Sequence, residues 1–220
     1  MTPDFRRLLS GLLLFVCFWM PLTGQDSLAA FTPQFHVGAW YSPSWNTVNF
    51  APQVNQATLM GFRFGGAFRY RSTPNLGITV ELGYDRRGWS EQADSLITHY
   101  LREIDYLELG FFTNIAIGRG RFQPVIMLGP YASYPLSETE TIPANWDPAR
   151  QDYYQQPLPK RMQYGLHGGL GFSFNFGPAV LQLDARYRYG YNGIFAAGEY
   201  SLTFSQSQSI TAQATIFFKL

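Results

Sequence analysis

The residues able to do acid–base or nucleophilic chemistry are few. The three histidines are His36, His99 and His167. Ser90, Asp94 and His99 fall in or beside one polar stretch, 88–95, and could supply nucleophile, orienting acid and base to a lipid- or peptide-modifying site. Such residues populate any polar loop, so the spacing has little specificity. Two histidines, His36 and His167, fall on polar strand faces, but no third ligand sits at a helpful spacing. A hydrogen-bonded interior network suits them better than a metal. Glu138, Glu140, Asp147 and Asp152 offer carboxylates for a divalent cation, without the spacing of a known oxygen-ligand loop. Trp146, Tyr153 and Tyr154 could anchor a partner or sit at a membrane interface. The expectation is a protein that is not an enzyme, with no catalytic, cofactor or metal site.

A larger set carries a different chemistry. Arg63, Arg69, Glu81, Asp85, Arg87, Glu108, His167, Asp184, Arg186 and Arg188 mix both charges, and each occupies the polar side of an alternating stretch. The pattern is clearest at 161–176. Met162, Tyr164, Leu166, Leu170, Phe172, Phe174 and Phe176 share one face, interrupted by Gly168. Gln163, Gly165, His167, Gly169, Gly171, Ser173 and Asn175 share the other. A period of two marks a β-strand with unlike faces.

Seven further stretches alternate in the same way, at 35–41, 59–71, 76–87, 99–117, 121–134, 179–191 and 203–220. The fifth in chain order, 121–134, is apolar in both registers, so its facing is open, and Pro130 suggests a bulge there. Connections at 72–75, 118–120 and 177–178 are short and rich in turn residues. Those at 42–56, 88–95, 135–160 and 192–199 are longer and polar. An even strand count puts the short turns on the same side as both termini.

Alternation alone fits a soluble lipocalin-like barrel, a sandwich or a transmembrane barrel. Three features favour the last, with apolar residues outward. The polar face is rich in glycine (Gly38, Gly65, Gly77, Gly83, Gly110, Gly165, Gly169 and Gly171), which weakens a strand in water but suits a narrow lumen filled by long Arg and Glu side chains. The same face carries charges of both signs that a lumen can pair. The apolar face gathers Tyr41, Tyr84, Tyr164, Tyr187, Tyr189 and Tyr191 toward the long loops and Phe174, Phe176 and Phe218 toward the turns, as two interfacial girdles would.

Composition agrees. The chain of 220 residues is 17% aromatic and 14% charged, with a formal net charge of +1, and it shows no basic stripe for nucleic acid. Its lysines are Lys160 and Lys219; arginine, the better buried ion-pair partner, dominates. Arg6 and Arg7 before the apolar run 8–20 read as a secretory signal peptide, with 1–24 removed and 25–220 forming the barrel domain. The lone Cys17 would leave with it, so no disulfide is expected.

Four segments carry a resemblance: Leu76-Gly-Ile-Thr-Val-Glu-Leu-Gly-Tyr-Asp-Arg-Arg-Gly88, Asp105-Tyr-Leu-Glu-Leu109, Arg121-Phe-Gln-Pro-Val-Ile-Met-Leu-Gly-Pro-Tyr131 and Leu183-Asp-Ala-Arg-Tyr-Arg-Tyr-Gly190. They resemble successive strands of the PorT-like outer-membrane β-barrel family of Bacteroidetes-type bacteria. The likeness implies an outer-membrane barrel and a link to protein secretion. Leu220 departs from the terminal aromatic common in such barrels, with Phe218 two residues earlier.

The expectation is therefore an all-β protein, an eight-stranded antiparallel up-and-down transmembrane β-barrel. Periplasmic turns are short, extracellular loops are long, and both termini are periplasmic. It is expected to be a monomer with a side-chain-filled lumen, contacting outer-membrane lipid and an envelope protein partner through loops 135–160 and 43–57. Alternatives are a narrow pore or transport accessory, a rim enzyme, and a soluble secreted binder.

Overall fold

The structure is a computed structural model and describes residues 31–92, 99–144, 146, 151–159, 161–196 and 200–220. The expected signal segment, Cys17, Asp94, Asp147 and Lys160 lie outside the described residues. Nine strands run in chain order: β1 Gln34–Ala51, β2 Gln56–Ala57, β3 Leu59–Arg71, β4 Leu76–Gln92, β5 His99–Ala116, β6 Phe122–Thr141, β7 Gln163–Asn175, β8 Ala179–Gly193 and β9 Phe204–Lys219. All pairings are antiparallel. The eight long strands follow the order β4-β3-β1-β9-β8-β7-β6-β5, and β4–β5 pairing closes the ring. The short β2 leans on β4 through Gln56 opposite Glu91 and Ala57 opposite Ser90. Closure satisfies every strand edge, which hydrocarbon demands.

The faces divide as the alternation requires. On β7, Met162, Tyr164, Leu166, Leu170 and Phe172 lie exposed on the outside, and Gln163, His167 and Ser173 are buried inside. The same split holds round the ring, from Val37, Phe64 and Leu82 to Leu109, Leu183 and Ile216 outside. A soluble barrel would hide these residues, so the soluble binder is excluded. The open fifth stretch resolves as well. Gln123, Val125, Met127, Tyr131 and Ser133 point inward, while Ile126, Leu128 and Tyr134 point outward.

Strand lengths depart from the sequence reading at the loop end. A tilted spanning strand needs about 9–11 residues, yet β1 has 18, β5 18 and β6 20. The stretch 42–56, read as a loop, continues β1 to Ala51. Ser42, Ser44, Asn46, Val48 and Phe50 are buried along it, and Trp45 is exposed. Small polar residues on the inner face hid the alternation. Similarly, 88–92 belongs to β4 and 135–141 to β6. Loops 43–57 and 135–160 are therefore shorter than expected as contact surfaces.

The expected bulge at Pro130 is absent, since Pro130 keeps its place opposite Leu166 on β7. The irregularity lies further on, where Asp105 faces Ser137 and Tyr106 faces Pro135, leaving Leu136 as the extra residue. One extra residue reverses the facing of all that follows. Ser137 turns outward, and Glu138 and Glu140 come opposite Ile104 and Arg102, two inward-facing positions.

Ser137 then completes an outer polar knot. Arg86 grips Asp105 at 2.7 and 3.3 Å, Ser137 donates to Asp105 at 2.7 Å, and Tyr84 donates to the same carboxylate. Leu82, Leu107 and Leu109 lie exposed on the turn side of this knot. It marks the upper edge of the apolar band.

Candidate functional site

The inner wall carries a charge network that spans the lumen. β4 and β8 stand on opposite sides of the eight-membered ring, and each carries charges at alternate positions. Arg186 on β8 crosses to Glu81 on β4 with a bidentate pair at 2.8 and 2.9 Å, and also holds its neighbour Asp184 at 2.6 Å. Two residues on, Arg188 crosses to Asp85, and to Glu108 on β5 at 3.0 Å. Arg87 reaches Asp85 at 2.6 Å, Glu108 at 2.9 Å, Ser133 at 2.7 Å and Gln163 at 3.0 Å. Arg63 on β3 bonds Glu108 and stands 3.6 Å from Asp85. Asp85 and Glu108 thus serve three guanidinium groups, and all five are nearly without solvent contact. Charge-assisted, multiply bonded pairs of this kind make buried charges tolerable.

Arg69 departs from the expected pairing. Among the described residues no carboxylate lies within ion-pair distance of it. Its guanidinium stacks on Phe217 at 3.8 Å and bonds Thr79 at 3.0 Å and Gln182. His167 lies 3.5 Å from Glu108, at the limit of a hydrogen bond. Its position is fixed rather by packing between Phe112 at 5.4 Å and Tyr131 at 4.7 Å. All ten residues named for the lumen network face inward and are buried. They form two clusters, one around Asp85 and Glu108 and one around Glu81 and Asp184, with Arg69 beside the second.

The glycines do part of what the sequence suggested. A Cβ on Gly169 would stand 2.8 Å from the Arg186 stem, so this wall is thinned for an arginine. Gly65 and Gly83 instead clear space for Trp40, whose indole would be 2.8 and 2.4 Å from their Cβ atoms. Large rings share the lumen with the ions. Trp40, Phe112, Tyr131 and Phe217 are all buried there, a contribution the charge pattern did not reveal.

At the loop end the lumen changes character. Val48, Phe50, Trp89, Tyr100, Ile104 and Tyr106 from the strands meet Trp146, Tyr153, Tyr154, Ile194, Phe195 and Leu202 from the connecting segments in one buried cluster. Trp146, Tyr153 and Tyr154, expected to be exposed, are therefore interior. Segment 151–159 folds inward and is bolted by charge. Arg102 donates to the Tyr153 carbonyl at 3.0 Å, to the Gln156 carbonyl and to Glu138 at 2.9 Å. Glu91 accepts from Trp89 at 2.8 Å, Tyr153 at 2.7 Å and Tyr154. Burial and the neighbouring Glu91 carboxylate push the Tyr153 hydroxyl well above the ordinary phenol range.

The suggested cation ligands have other work. Glu138 accepts the Leu158 amide at 3.0 Å, Glu140 accepts Tyr100 at 2.6 Å and the Gln155 amide at 3.1 Å, and Asp152 holds Ser201 at 2.6 and 3.0 Å. Among the described residues no group of three acidic, His or Cys side chains is placed to hold a metal. His36 and His167 sit on β1 and β7, separated in the ring by β9 and β8. Ser90 faces inward on β4 rather than lying in a loop.

The sequence model described as "Outer membrane protein beta-barrel domain" matches residues 30–196. The chain belongs to this family. It is thus an outer-membrane β-barrel protein, and the exposed apolar belt is its lipid-facing surface. Among solved structures, OprG from Pseudomonas aeruginosa superposes with a TM-score of 0.55 at 12% identity, covering 89% of this chain and 99% of that one. Ail, the attachment invasion locus protein of Yersinia pestis, gives 0.45 at 16% identity, covering 86% and 100%. Neisserial surface protein A gives 0.44 at 16%, covering 84% and 98%. The first likeness is one of fold. No curated protein matches the sequence.

Proposed function

We propose that this barrel is a closed, non-conducting outer-membrane protein that acts through its loop end on an envelope partner, as an accessory to protein secretion. The observation that carries the closed state is the pair of cross-lumen struts, Arg186–Glu81 and Arg188–Asp85/Glu108, beneath the aromatic seal around Tyr153. An ion path would have to displace paired charges and a packed apolar layer in series. The secretion role rests on the likeness of the four strand segments to the PorT-like family. In this reading the short turns and both termini face the periplasm, 142–162 and 194–203 form the contact surface, and the barrel is a monomer. It has no catalytic task, because Ser90 and the loop acids are engaged in the fold.

Purified protein in planar bilayers tests the closed state, with silence expected across physiological voltages. Steady single-channel conductance from the unaltered protein would overturn it and favour a pore. Crosslinking in cells from a residue placed at 194 or 203 tests the partner. Capture of a secretion component is expected, and capture of nothing beyond lipid would remove the accessory role.

A further inference from the structure

We propose that the outer wall at β6–β7 is a binding site for one anionic glycerophospholipid, its phosphate held at the β5–β6 turn and an acyl chain lying in a groove floored by Gly168. This goes beyond the partner role and needs only the membrane setting. Two independent features converge on the same strand pair.

The first is unspent positive charge at the turn. Arg119 and Arg121 are exposed, and neither has a hydrogen bond or ion pair with any described residue. The turn that bears them is held firmly. Gly118 has φ of +83° there, and Asn175 at the end of β7 bonds the Arg121 carbonyl at 2.7 Å and the Gly120 carbonyl at 3.2 Å. Turns of a membrane barrel lie at headgroup depth, where a phosphate suits arginine's forked donors.

The second is an outward apolar groove of about 590 Å³ lined by Ile126, Leu128, Gly168, Leu170, Ala185 and Tyr187. Through Leu170 and Ala185 it continues into a second hollow of about 440 Å³ bordered by Ala212 and Ala214. On a lipid-facing wall of Leu, Phe and Tyr, these small residues leave a channel. Gly168 is the one break in the apolar face of β7, and no close contact in the fold requires it. A Cβ there would meet Leu128 at 3.5 Å, an ordinary contact, and no backbone.

The dimensions match. Ile126 is five residues along β6 from Arg121, a path of roughly 16 Å. Half a bilayer's hydrocarbon core is about 15 Å. Phe122, stacked on Phe172 at 5.1 Å, lies between, at the depth where ring and glycerol backbone meet. A lipid whose phosphate rests on Arg119 and Arg121 therefore lays its chain against Gly168. Net negative charge is the feature that selects it, since a zwitterionic choline headgroup carries its own cation.

The test is native mass spectrometry of protein extracted from vesicles of equal phosphatidylglycerol and phosphatidylcholine. One retained phosphatidylglycerol per barrel is expected, enriched about fivefold for each arginine engaged. Arg119→Gln with Arg121→Gln should abolish the preference, and Gly168→Leu should lower retention while leaving both arginines in place. Heat-modifiable gel migration of each variant reports that the barrel has folded. Equal retention of the two lipids, or no change with either alteration in a folded barrel, would overturn the proposal.

Discussion

At the scale of single residues, the network around Asp85 and Glu108 separates structural charge from surface charge. Glu108 contacts Arg63, Arg87 and Arg188 without solvent, and Arg86 contacts Asp105 on the outer wall with solvent access. Glu108→Gln leaves three guanidinium groups around one carboxylate. Breaking a buried pair this way costs about 3–5 kcal/mol. Arg86→Gln removes a half-exposed pair, for a cost of about 1 kcal/mol or less. Urea unfolding in lipid vesicles, followed by tryptophan fluorescence, should rank them in that order; equal midpoints would show that the lumen network adds no stability. The ten inward residues were readable from alternation because charge of both signs on one strand face has few explanations. The ring layer was not readable. Trp40 and Tyr131 look like members of an apolar face until the register turns them inward.

At the scale of elements, the loop end depends on one residue of phase. Leu136 is the extra residue that turns Glu138 and Glu140 toward Arg102, and Arg102 holds segment 151–159 in the mouth. Deleting Leu136 should swing both carboxylates outward and free the segment, seen as rapid protease cleavage within 151–159 while the barrel stays protected. Continued resistance would mean the aromatic packing suffices alone. Tyr153 adds a pH limit. Its hydroxyl gives up its proton less readily in the fold than in the unfolded chain, so its contribution is complete below the ordinary phenol pKa of about 10 and is lost as pH rises toward the folded value. Cleavage of the segment should therefore accelerate above about pH 10, and Tyr153→Phe should remove that acceleration; a pH-independent rate in the unaltered protein would contradict the Glu91 contact. None of this was visible in the sequence, where Pro135 and the acids after it resemble a solvated loop. A bulge breaks the period that reveals strands, and serine- and asparagine-bearing inner faces, as on β1, conceal it.

At the scale of the whole molecule, the apolar belt and the polar knot at Arg86–Asp105 fix how deep the barrel sits. The belt was legible because its residues alternate with charge over eight strands; its upper limit was not, because Arg86 and Arg87 are adjacent and only the register shows that one faces lipid and the other the lumen. Val80 and Phe111 are cross-strand partners midway along the outward apolar residues of β4 and β5. An arginine there must bring its charge to the bilayer middle. Val80→Arg should cost about 2–4 kcal/mol, while the same change at Ser137, beside the knot, should cost about 1 kcal/mol or less. The comparison needs a lipid bilayer, since detergent can wrap the new charge, and it reads the unfolding midpoint of each variant in vesicles of one composition. Similar losses at both positions would move the membrane boundary above Ser137 and place the outer knot within hydrocarbon. A loss at Ser137 alone would invert the depth order. With Val80 central and Ser137 interfacial, the long ends of β1, β5 and β6 stand clear of the bilayer and carry the Tyr153 seal above the lipid, within reach of a partner.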